Sequence, residues 1–351
     1  MNGTMPRLFI QASNIHQGGG RVLLLGLLEN VPPDLPCTVF LDQRMPIPEG
    51  LSTHINIKQI RPTILARLNV EFKLSRQVTA KDYVICFGNL PPLLEVAGTV
   101  TLFLQNRYLV DPDAPLGALP WKARLRLRIE KRWLKLKQNK ASSVIVQTRT
   151  MRRLAEGTLR RSVECAMFVP EMMALPENST EDTTSRKFDF LYVASGEAHK
   201  NHQNLISAWK LLAGDGLFPS LVLTLNPEKE ATLVAQINEA SVSHKLNIHN
   251  LGQRPHEALF KLYREAGALI YPSCFESLGL PLLEARSSGL PVIAPELDYV
   301  RDIIAPVETF DPNSALSIAR AVKRHLRKEQ DIATPIDVET FLARATQKEN
   351  P

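Results

Sequence analysis

Two glutamates near the end of the chain enclose the segment best suited to bind a ligand. Glu276 and Glu284 bracket a short stretch that contains Gly279. Amides of a glycine turn can donate to phosphate or sugar oxygens, and Gly279 lets the backbone approach without a Cβ in the way. A carboxylate such as that of Glu284 can accept two hydrogen bonds from a diol. The spacing predicts a site for an anionic, hydroxyl-rich ligand. The ordinary alternative is one glutamate that caps a helix and one on a solvated face.

The flanking residues predict a strand, a tight turn, a helix and a second strand. The apolar runs 268–272 and 291–294 suit buried parallel strands. Pro281 fits the first helical residue and Gly289 a left-handed cap, so a helix is predicted over 281–288. The loop before it then lies at a helix N-terminus, where free N–H groups and the positive end of the helix dipole attract anions.

This segment resembles the signature of glycosyltransferase family 4, a family of retaining GT-B glycosyltransferases in which two glutamates enclose a Gly-Leu-Pro turn. The resemblance implies that Glu276 positions the sugar of a nucleotide-sugar donor and that Glu284 binds its ribose. The residues whose amides would form the turn are Ser277, Leu278, Gly279 and Leu280. The resemblance covers about 188–328 well and the N-terminal half only in outline.

A second segment, around Lys200, resembles the diphosphate-binding part of the same family. There an arginine five residues before a lysine joins it in gripping the donor diphosphate. Lys200 matches the lysine, but the arginine position is Ser195. Lys200 would then rely on the Ser195 hydroxyl, on backbone amides or on another cation such as Arg254. A solvated lysine is the ordinary interpretation; beside Glu276 we prefer phosphate binding, and Glu276 and Lys200 are the predicted catalytic residues.

Two further loops are donor-side candidates through the same resemblance. Gln253 and Arg254 follow a predicted strand at a position that implies contact with the nucleobase. Gly19 and Gly20 lie in the glycine-rich loop 14–21, which the resemblance places against the donor diphosphate. That loop is neither a dinucleotide-binding fingerprint nor a P-loop, and a plain turn is an equally good interpretation.

Three residues of the N-terminal half are acceptor-side candidates. His16 belongs to the glycine-rich loop, and Asn106 and Arg107 follow a strand-like run where many relatives have a histidine in the cleft. An ordinary loop is the alternative interpretation for Asn106 and Arg107.

The segment 121–161 holds fourteen lysines and arginines against two glutamates, a local charge of +12 in a chain of net charge +6. Within it, apolar side chains recur at helical spacing: Trp121, Leu125, Ile129, Trp133 and Leu136. A basic amphipathic helix with tryptophans suits an anionic bilayer, where each cation contributes about 1 kcal/mol. We expect 121–140 to contact an anionic membrane surface. The alternatives are a helix packed on its own domain with a solvated basic face, or nucleic-acid binding, which we do not expect because no recognised module accompanies the segment.

Composition bounds the class of protein. At 351 residues, with 44% hydrophobic and 22% charged residues, two globular domains are expected. Four widely spaced cysteines indicate neither a metal site nor disulfides. The first residues lack a signal peptide, and no apolar run is long enough to span a membrane. We therefore expect a cytoplasmic protein, either soluble or peripheral on the inner face of the plasma membrane.

Strand-like and helix-like stretches alternate, which predicts parallel sheets covered on both faces. The predicted strands are 8–12, 38–41, 54–60, 83–87, 100–104, 144–147, 166–169, 188–193, 221–225, 247–251, 268–271 and 291–294. The predicted helices are 20–30, 62–76, 121–138, 148–156, 202–213, 228–240, 256–266, 281–288 and 313–327.

The resemblance implies an α/β protein of GT-B fold, with two Rossmann-like doubly wound domains facing a cleft. We expect an acceptor-side domain over 1–170, a polar linker over 171–187 and a nucleotide-sugar-binding domain over 188–330. A C-terminal helix within 331–351 would cross back to the first domain.

The expected activity is retaining transfer of a sugar from a nucleotide sugar to a glycan or lipid-linked glycan in bacterial polysaccharide or lipopolysaccharide biosynthesis. No cofactor and no metal are expected. Two alternatives stay open: an inactive relative that still binds nucleotide sugars, which Ser195 favours, and a retaining transferase with a soluble acceptor.

Overall fold

The chain forms two parallel α/β sheets. The structure, a computed structural model, describes residues 5–47, 50–170, 186–328 and 337–338. Most of the predicted linker 171–187 and most of the predicted C-terminal helix therefore lie outside the described residues. No helix of the described part combines the length and apolar character needed to cross a bilayer.

The N-terminal sheet has seven strands in the order β3-β2-β1-β4-β5-β6-β7, and every pair is parallel. The strands are β1 (Leu8–Ala12), β2 (Cys37–Asp42), β3 (Ile55–Ile60), β4 (Tyr83–Cys86), β5 (Thr99–Phe103), β6 (Ser143–Val146) and β7 (Glu164–Cys165). The helices are α1 (Gly18–Glu29), α2 (Ile64–Gln77), α3 (Trp121–Lys137) and α4 (Arg149–Leu159).

The C-terminal sheet has six parallel strands in the order β10-β9-β8-β11-β12-β13. The strands are β8 (Phe188–Tyr192), β9 (Leu221–Leu223), β10 (Ile248–Asn250), β11 (Ala266–Ile270), β12 (Val292–Pro295) and β13 (Glu308–Phe310). The helices are α5 (His202–Gly214), α6 (Ala231–His244), α7 (His256–Glu265), α8 (Leu280–Ser287), α9 (Asp298–Arg301) and α10 (Ala315–His325).

Buried apolar strands hold each sheet together. In β11 all five residues are buried, as expected for a strand covered on both faces. In the N-terminal domain α2, α3 and α4 share one core with Phe9 and Phe40, whereas α1 packs with Ile10 and Val39 in the other core. Helices thus cover both faces of that sheet, and the predicted doubly wound arrangement is confirmed.

One predicted strand is wrong. The last N-terminal strand is Glu164–Cys165, and 166–169 lie beyond it. Ala166 still donates its amide to Val146 O, but Phe168 packs its ring 5.5 Å from that of Phe103, so these apolar residues cover the core instead of extending the ladder. Strand β13 and the short helix α9 were not predicted.

Candidate functional site

The loop between β11 and α8 lies at the carboxyl edge of the C-terminal sheet, where open α/β sheets bind their ligands. Helix α8 begins at Leu280, one residue earlier than predicted, because Gly279 takes a left-handed φ of 78° just before it. The Tyr299 hydroxyl donates to Ser273 O at 2.7 Å and fixes the start of the loop. Among the described residues, the amides of Ser277, Leu278 and Gly279 have no hydrogen-bond acceptor.

Lys200 and Glu276 form an ion pair at this loop. Lys200 Nζ donates to Glu276 Oε1 at 2.5 Å, and the two side chains are only 15% and 12% exposed. The same Oε1 accepts from the Tyr271 hydroxyl at 2.9 Å and from Ser273 Oγ at 2.7 Å. Tyr192 donates its hydroxyl to Lys200 O at 2.6 Å, so the lysine backbone is also fixed.

Charges at the pair favour an ionised carboxylate. Burial pushes the pKa of Glu276 upward, but the Lys200 ammonium and the Ser273 hydroxyl outweigh it and hold that pKa below its usual value. Burial, and after it the Lys200 charge, lowers the pKa of His199 and lowers that of His202 to about 4. Both imidazoles are therefore neutral at pH 7, and Lys200 is the cation beside Glu276.

Arg107 reaches the same loop from the N-terminal domain. Its guanidinium donates to Glu276 O at 3.1 Å and to Asp111 Oδ2 at 2.7 Å. It also lies over the Phe275 ring, 4.6 Å from the centroid, and Tyr108 packs against that ring at the same distance. Arg107 is thus a bridge between the two domains.

The glycine-rich loop faces Leu280 across the two domains. A Cβ on Gly19 would lie 2.9 Å from Leu280 Cδ1, and one on Gly20 would lie 3.6 Å from Gln105 Oε1. Gly19 therefore allows the start of α1 to approach the start of α8. The structure brings together five predicted residues: Gly19, Arg107, Lys200, Glu276 and Leu280.

Glu284 is already hydrogen-bonded by its own chain. It is buried, His256 Nε2 lies 2.8 Å from its Oε1, and the Tyr263 hydroxyl donates to its Oε2 at 2.5 Å. Glu284 therefore lies within α8, as predicted, but both of its carboxylate oxygens already have partners within the chain.

Three other donor-side candidates have partners of their own or lie exposed at the surface. Ser195 is exposed and donates its hydroxyl to Glu197, so it does not support Lys200. Gln253 accepts from Asn226 at 3.0 Å, and Arg254 is exposed.

Two acceptor-side candidates, Asn106 and His16, differ in their surroundings. Asn106 accepts from Tyr108 N at 3.1 Å and so caps a short 3-10 helix, Arg107–Leu109. Burial raises the pKa of the Asp42 carboxyl, but the nearby cation Arg44, and more weakly His16, lower it below its usual value. His16 Nδ1 is buried and has no partner among the described residues.

Five site residues were not predicted: Tyr271, Ser273, Phe275, His256 and Tyr263. The first three lie within the five positions before Glu276, so proximity to the motif was their signal. His256 follows Gln253 and Arg254 closely, but nothing in the sequence indicates that it contacts a glutamate 28 positions later.

A comparison with protein families finds a match in the C-terminal half. Residues 177–336 match the protein family "Glycosyl transferases group 1". The match spans the C-terminal domain and covers a little under half of the chain. The "O-antigen chain mannosyltransferase B" of Escherichia coli is 31% identical over 149 residues, which are 41% of this chain and 39% of that relative. The chain thus matches well under half the length of this curated relative.

Solved structures share the fold of this chain over most of its length. Anabaena HepE, solved "in complex with UDP and glucose", superposes with a TM-score of 0.64 at 15% identity, covering 92% of this chain and 90% of HepE. WaaG, "a glycosyltransferase involved in lipopolysaccharide biosynthesis", gives a TM-score of 0.64 at 16% identity, with the same coverage of each chain. The predicted GT-B fold is confirmed.

Proposed function

We propose that the protein is a retaining hexosyltransferase that moves a sugar from a nucleotide-sugar donor to a glycan or lipid-linked glycan acceptor. The observation that carries this proposal is the buried Lys200–Glu276 ion pair, in a loop that opens a helix and that Arg107 of the other domain contacts. The names of the E. coli mannosyltransferase and of WaaG favour a role in bacterial lipopolysaccharide or polysaccharide assembly.

In the proposed reaction, the bond from the anomeric carbon to the diphosphate oxygen breaks. A bond to the acceptor hydroxyl oxygen forms on the same face of the sugar, and the hydroxyl proton is released. Negative charge develops on the departing nucleoside diphosphate. We assign its stabilisation to the Lys200 ammonium and the amides of Ser277, Leu278 and Gly279, each such donor contributing about 3 kcal/mol. No metal or cofactor has a role in this scheme, as the family 4 resemblance implies.

Glu276 is placed to position the sugar. Lys200, Tyr271 and Ser273 all donate to its Oε1, and no described residue donates to its Oε2. The free Oε2 can accept from a sugar hydroxyl while the other oxygen holds the side chain still. We infer that Glu276 orients the sugar and does not attack it.

Glu284 retains acceptor capacity for a ribose. An ionised carboxylate has about four acceptor sites, and His256 and Tyr263 use two of them. We propose that the ribose diol uses the remaining two, with His256 and Tyr263 holding the carboxylate in place.

One observation favours a second candidate, an inactive relative that binds nucleotide sugars. Ser195 replaces the expected arginine, and its hydroxyl donates to the Glu197 carboxylate, which places an acid where a second cation would grip the diphosphate. Slow hydrolysis of a nucleotide-sugar donor in the absence of acceptor would separate an enzyme from such a relative.

A soluble acceptor is less well supported than a lipid-linked one. Helix α3 packs on its domain through Leu127 and Leu134, yet Trp121, Leu125, Ile129 and Leu136 stay exposed among cations. This pattern favours contact with an anionic membrane surface, on the cytoplasmic side, where a lipid-linked acceptor would be met.

The proposal is tested by calorimetric titration with UDP, GDP and ADP. We expect one nucleotide to bind tightly to the wild-type protein. Its affinity for Lys200→Ala and for Glu284→Ala should be at least roughly tenfold lower, since each variant loses a direct contact with the nucleotide. Lys210→Ala, an exposed lysine on α5, is the matched control and should bind like the wild type.

Absence of binding to all three nucleotides would overturn the donor site. Tight binding without donor hydrolysis or transfer would instead favour the inactive relative. The identity of the bound nucleotide also limits the possible donor sugars to those that occur linked to that nucleotide.

A further inference from the structure

Helix α2 exposes an apolar face that the sequence analysis did not single out. Ile64 and Leu65 are 79% and 80% exposed, and Leu68 and Phe72 are about half exposed. These four side chains fall within an arc of about 100° at 3.6 residues per turn. The adjoining side of the helix, toward the sheet, holds buried Val70, Glu71 and Leu74. Helix α2 therefore presents its larger apolar residues to both the core and the solvent.

Helix α3 has the same organisation. Leu127 and Leu134 are buried, whereas Trp121 and Leu136 are 65% and 67% exposed and Leu125 and Ile129 about half exposed. The exposed apolar residues again lie on one side, in an arc of about 80°. Trp133, which belonged to the predicted apolar face, turns inward and donates its indole N–H to Pro91 O at 2.9 Å.

The two helices are neighbours. They pack on the same face of the N-terminal sheet, in the core that contains Phe9 and Phe40. The loop 91–93 contacts both helices, because Leu93 N donates to Glu71 Oε2 of α2 at 2.7 Å and Trp133 of α3 donates to Pro91 O. We call the exposed apolar residues of both helices the α2–α3 platform: Ile64, Leu65, Leu68, Phe72, Trp121, Leu125, Ile129 and Leu136.

Cations surround the platform. Segment 121–137 contains eight lysines and arginines against Glu130, and segment 61–77 contains Arg61, Arg67, Lys73 and Arg76 against buried Glu71. The Arg76 guanidinium lies over the Phe72 ring, 4.0 Å from the centroid, so a charge borders an apolar side chain directly. Exposed apolar residues bordered by cations match an anionic lipid interface, which offers hydrocarbon below and phosphate above.

We propose that the α2–α3 platform is a two-helix docking surface for an anionic lipid bilayer. The apolar side chains of both helices enter the headgroup boundary and the surrounding cations contact lipid phosphates. The proposal deepens the proposed function, on which it rests, by adding α2 to the membrane contact expected from 121–140. Two helices fix the orientation of the domain on the membrane, which a single helix does not, because one helix can roll about its axis.

The platform lies beside the cleft. Helix α3 packs against the 3-10 helix Arg107–Leu109. Arg107 in turn donates to Glu276 O. A lipid-linked acceptor held in the bilayer under α2 and α3 is therefore near the N-terminal side of the candidate site.

The test is co-sedimentation of the full chain with vesicles of phosphatidylcholine containing about 30% phosphatidylglycerol, whose negative surface attracts lysine and arginine. The α2 variant is Leu65→Glu/Phe72→Glu and the α3 variant is Trp121→Glu/Ile129→Glu. Each variant should weaken vesicle binding roughly tenfold or more, since it replaces two apolar side chains that would enter the bilayer by anionic ones. Val242→Glu is the matched control, since Val242 is 82% exposed on α6 of the other domain. This variant should bind vesicles like the wild type.

The outcomes separate the two proposals. If the α3 variant loses binding and the α2 variant does not, the two-helix surface is overturned and α3 acts alone. A wild-type chain that does not sediment with anionic vesicles overturns it as well. If the α2 variant instead converts a dimer to a monomer in sedimentation velocity and leaves vesicle binding unchanged, that face is a protein interface. Nucleotide titration reports the donor site independently, so failure of the proposed function appears there and not in vesicle binding.

Discussion

At the scale of single residues, the Lys200–Glu276 pair makes a sharp energetic prediction. Removing one partner of a buried ion pair leaves an uncompensated charge, whereas removing both does not. We expect Lys200→Met to lower the free energy of unfolding by about 3 kcal/mol, and Lys200→Met/Glu276→Gln to cost less than the sum of the single variants. Urea denaturation of the four proteins in this cycle measures the coupling.

The exposed pair Arg301–Glu296 provides the control cycle. Its side chains are 47% and 57% exposed, and such surface pairs contribute between zero and about 1 kcal/mol. If the Lys200–Glu276 cycle were additive like this one, the pair would have no special electrostatic environment, and the proposed preorganisation of Lys200 would be wrong.

What the sequence reveals about these residues follows from distance along the chain. Glu276 and Lys200 are recognisable because each sits in a local pattern of strand, glycine turn and helix. The partners of Glu284 cannot be recognised from the sequence. His256 and Tyr263 lie 28 and 21 positions away and contact Glu284 only because α7 packs beside α8. The exchange of arginine for Ser195 is visible in the sequence, but its hydrogen bond to Glu197 is not.

At the scale of elements, the left-handed residue before α8 links local geometry to ligand binding. Gly279 has a φ of 78°, and a Cβ there would lie 3.2 Å from Leu282 Cδ1. We expect Gly279→Ala to destabilise the protein by about 1–2 kcal/mol, the usual cost of a left-handed L-residue. It should also weaken nucleotide binding, because the amides of Ser277 and Leu278 precede this residue. Urea denaturation and calorimetry measure the two effects.

Gly289 is the matched control, since it has a φ of 64° at the other end of the same helix and a Cβ there would meet open space. Gly289→Ala should cost similar stability and leave nucleotide affinity unchanged. Equal loss of affinity in both variants would mean that general destabilisation, and not the turn, controls binding.

Long periodic elements were predictable and short ones were not. Strand β1 matches its predicted bounds, and α5 differs by one residue, because apolar runs and helical spacing extend over several residues. Strand β13 has three residues and α9 has four, which is too little for either pattern to appear. The exposed apolar face of α2 was missed for a different reason: composition shows that residues are apolar, and only packing decides which of them face solvent.

At the scale of the whole molecule, specific contacts join the two domains. Thr150 N donates to Asp302 Oδ2 at 2.7 Å, the Arg153 guanidinium contacts Asp298 at 2.5 Å, and Arg107 donates to Glu276 O at 3.1 Å. The sequence predicts two parallel sheets through alternation, but it does not predict these contacts, which join residues more than 140 positions apart. The relative placement of donor and acceptor sides is therefore information that only the folded chain provides.

Arg107 tests whether that placement matters for transfer. We expect Arg107→Leu to bind the donor nucleotide within roughly threefold of the wild type, because Lys200 and the turn remain, and to slow sugar transfer by at least about tenfold, since small misplacements of reacting groups are costly. Calorimetry and single-turnover transfer measure the two quantities. The control is Arg153→Ala, which removes the contact of Arg153 with Asp298 between the same domains. These two side chains are 69% and 59% exposed, so the variant should change neither nucleotide affinity nor the rate of transfer by much. A parallel fall in affinity and transfer in Arg107→Leu would instead make Arg107 a direct donor ligand, the missing cation opposite Lys200.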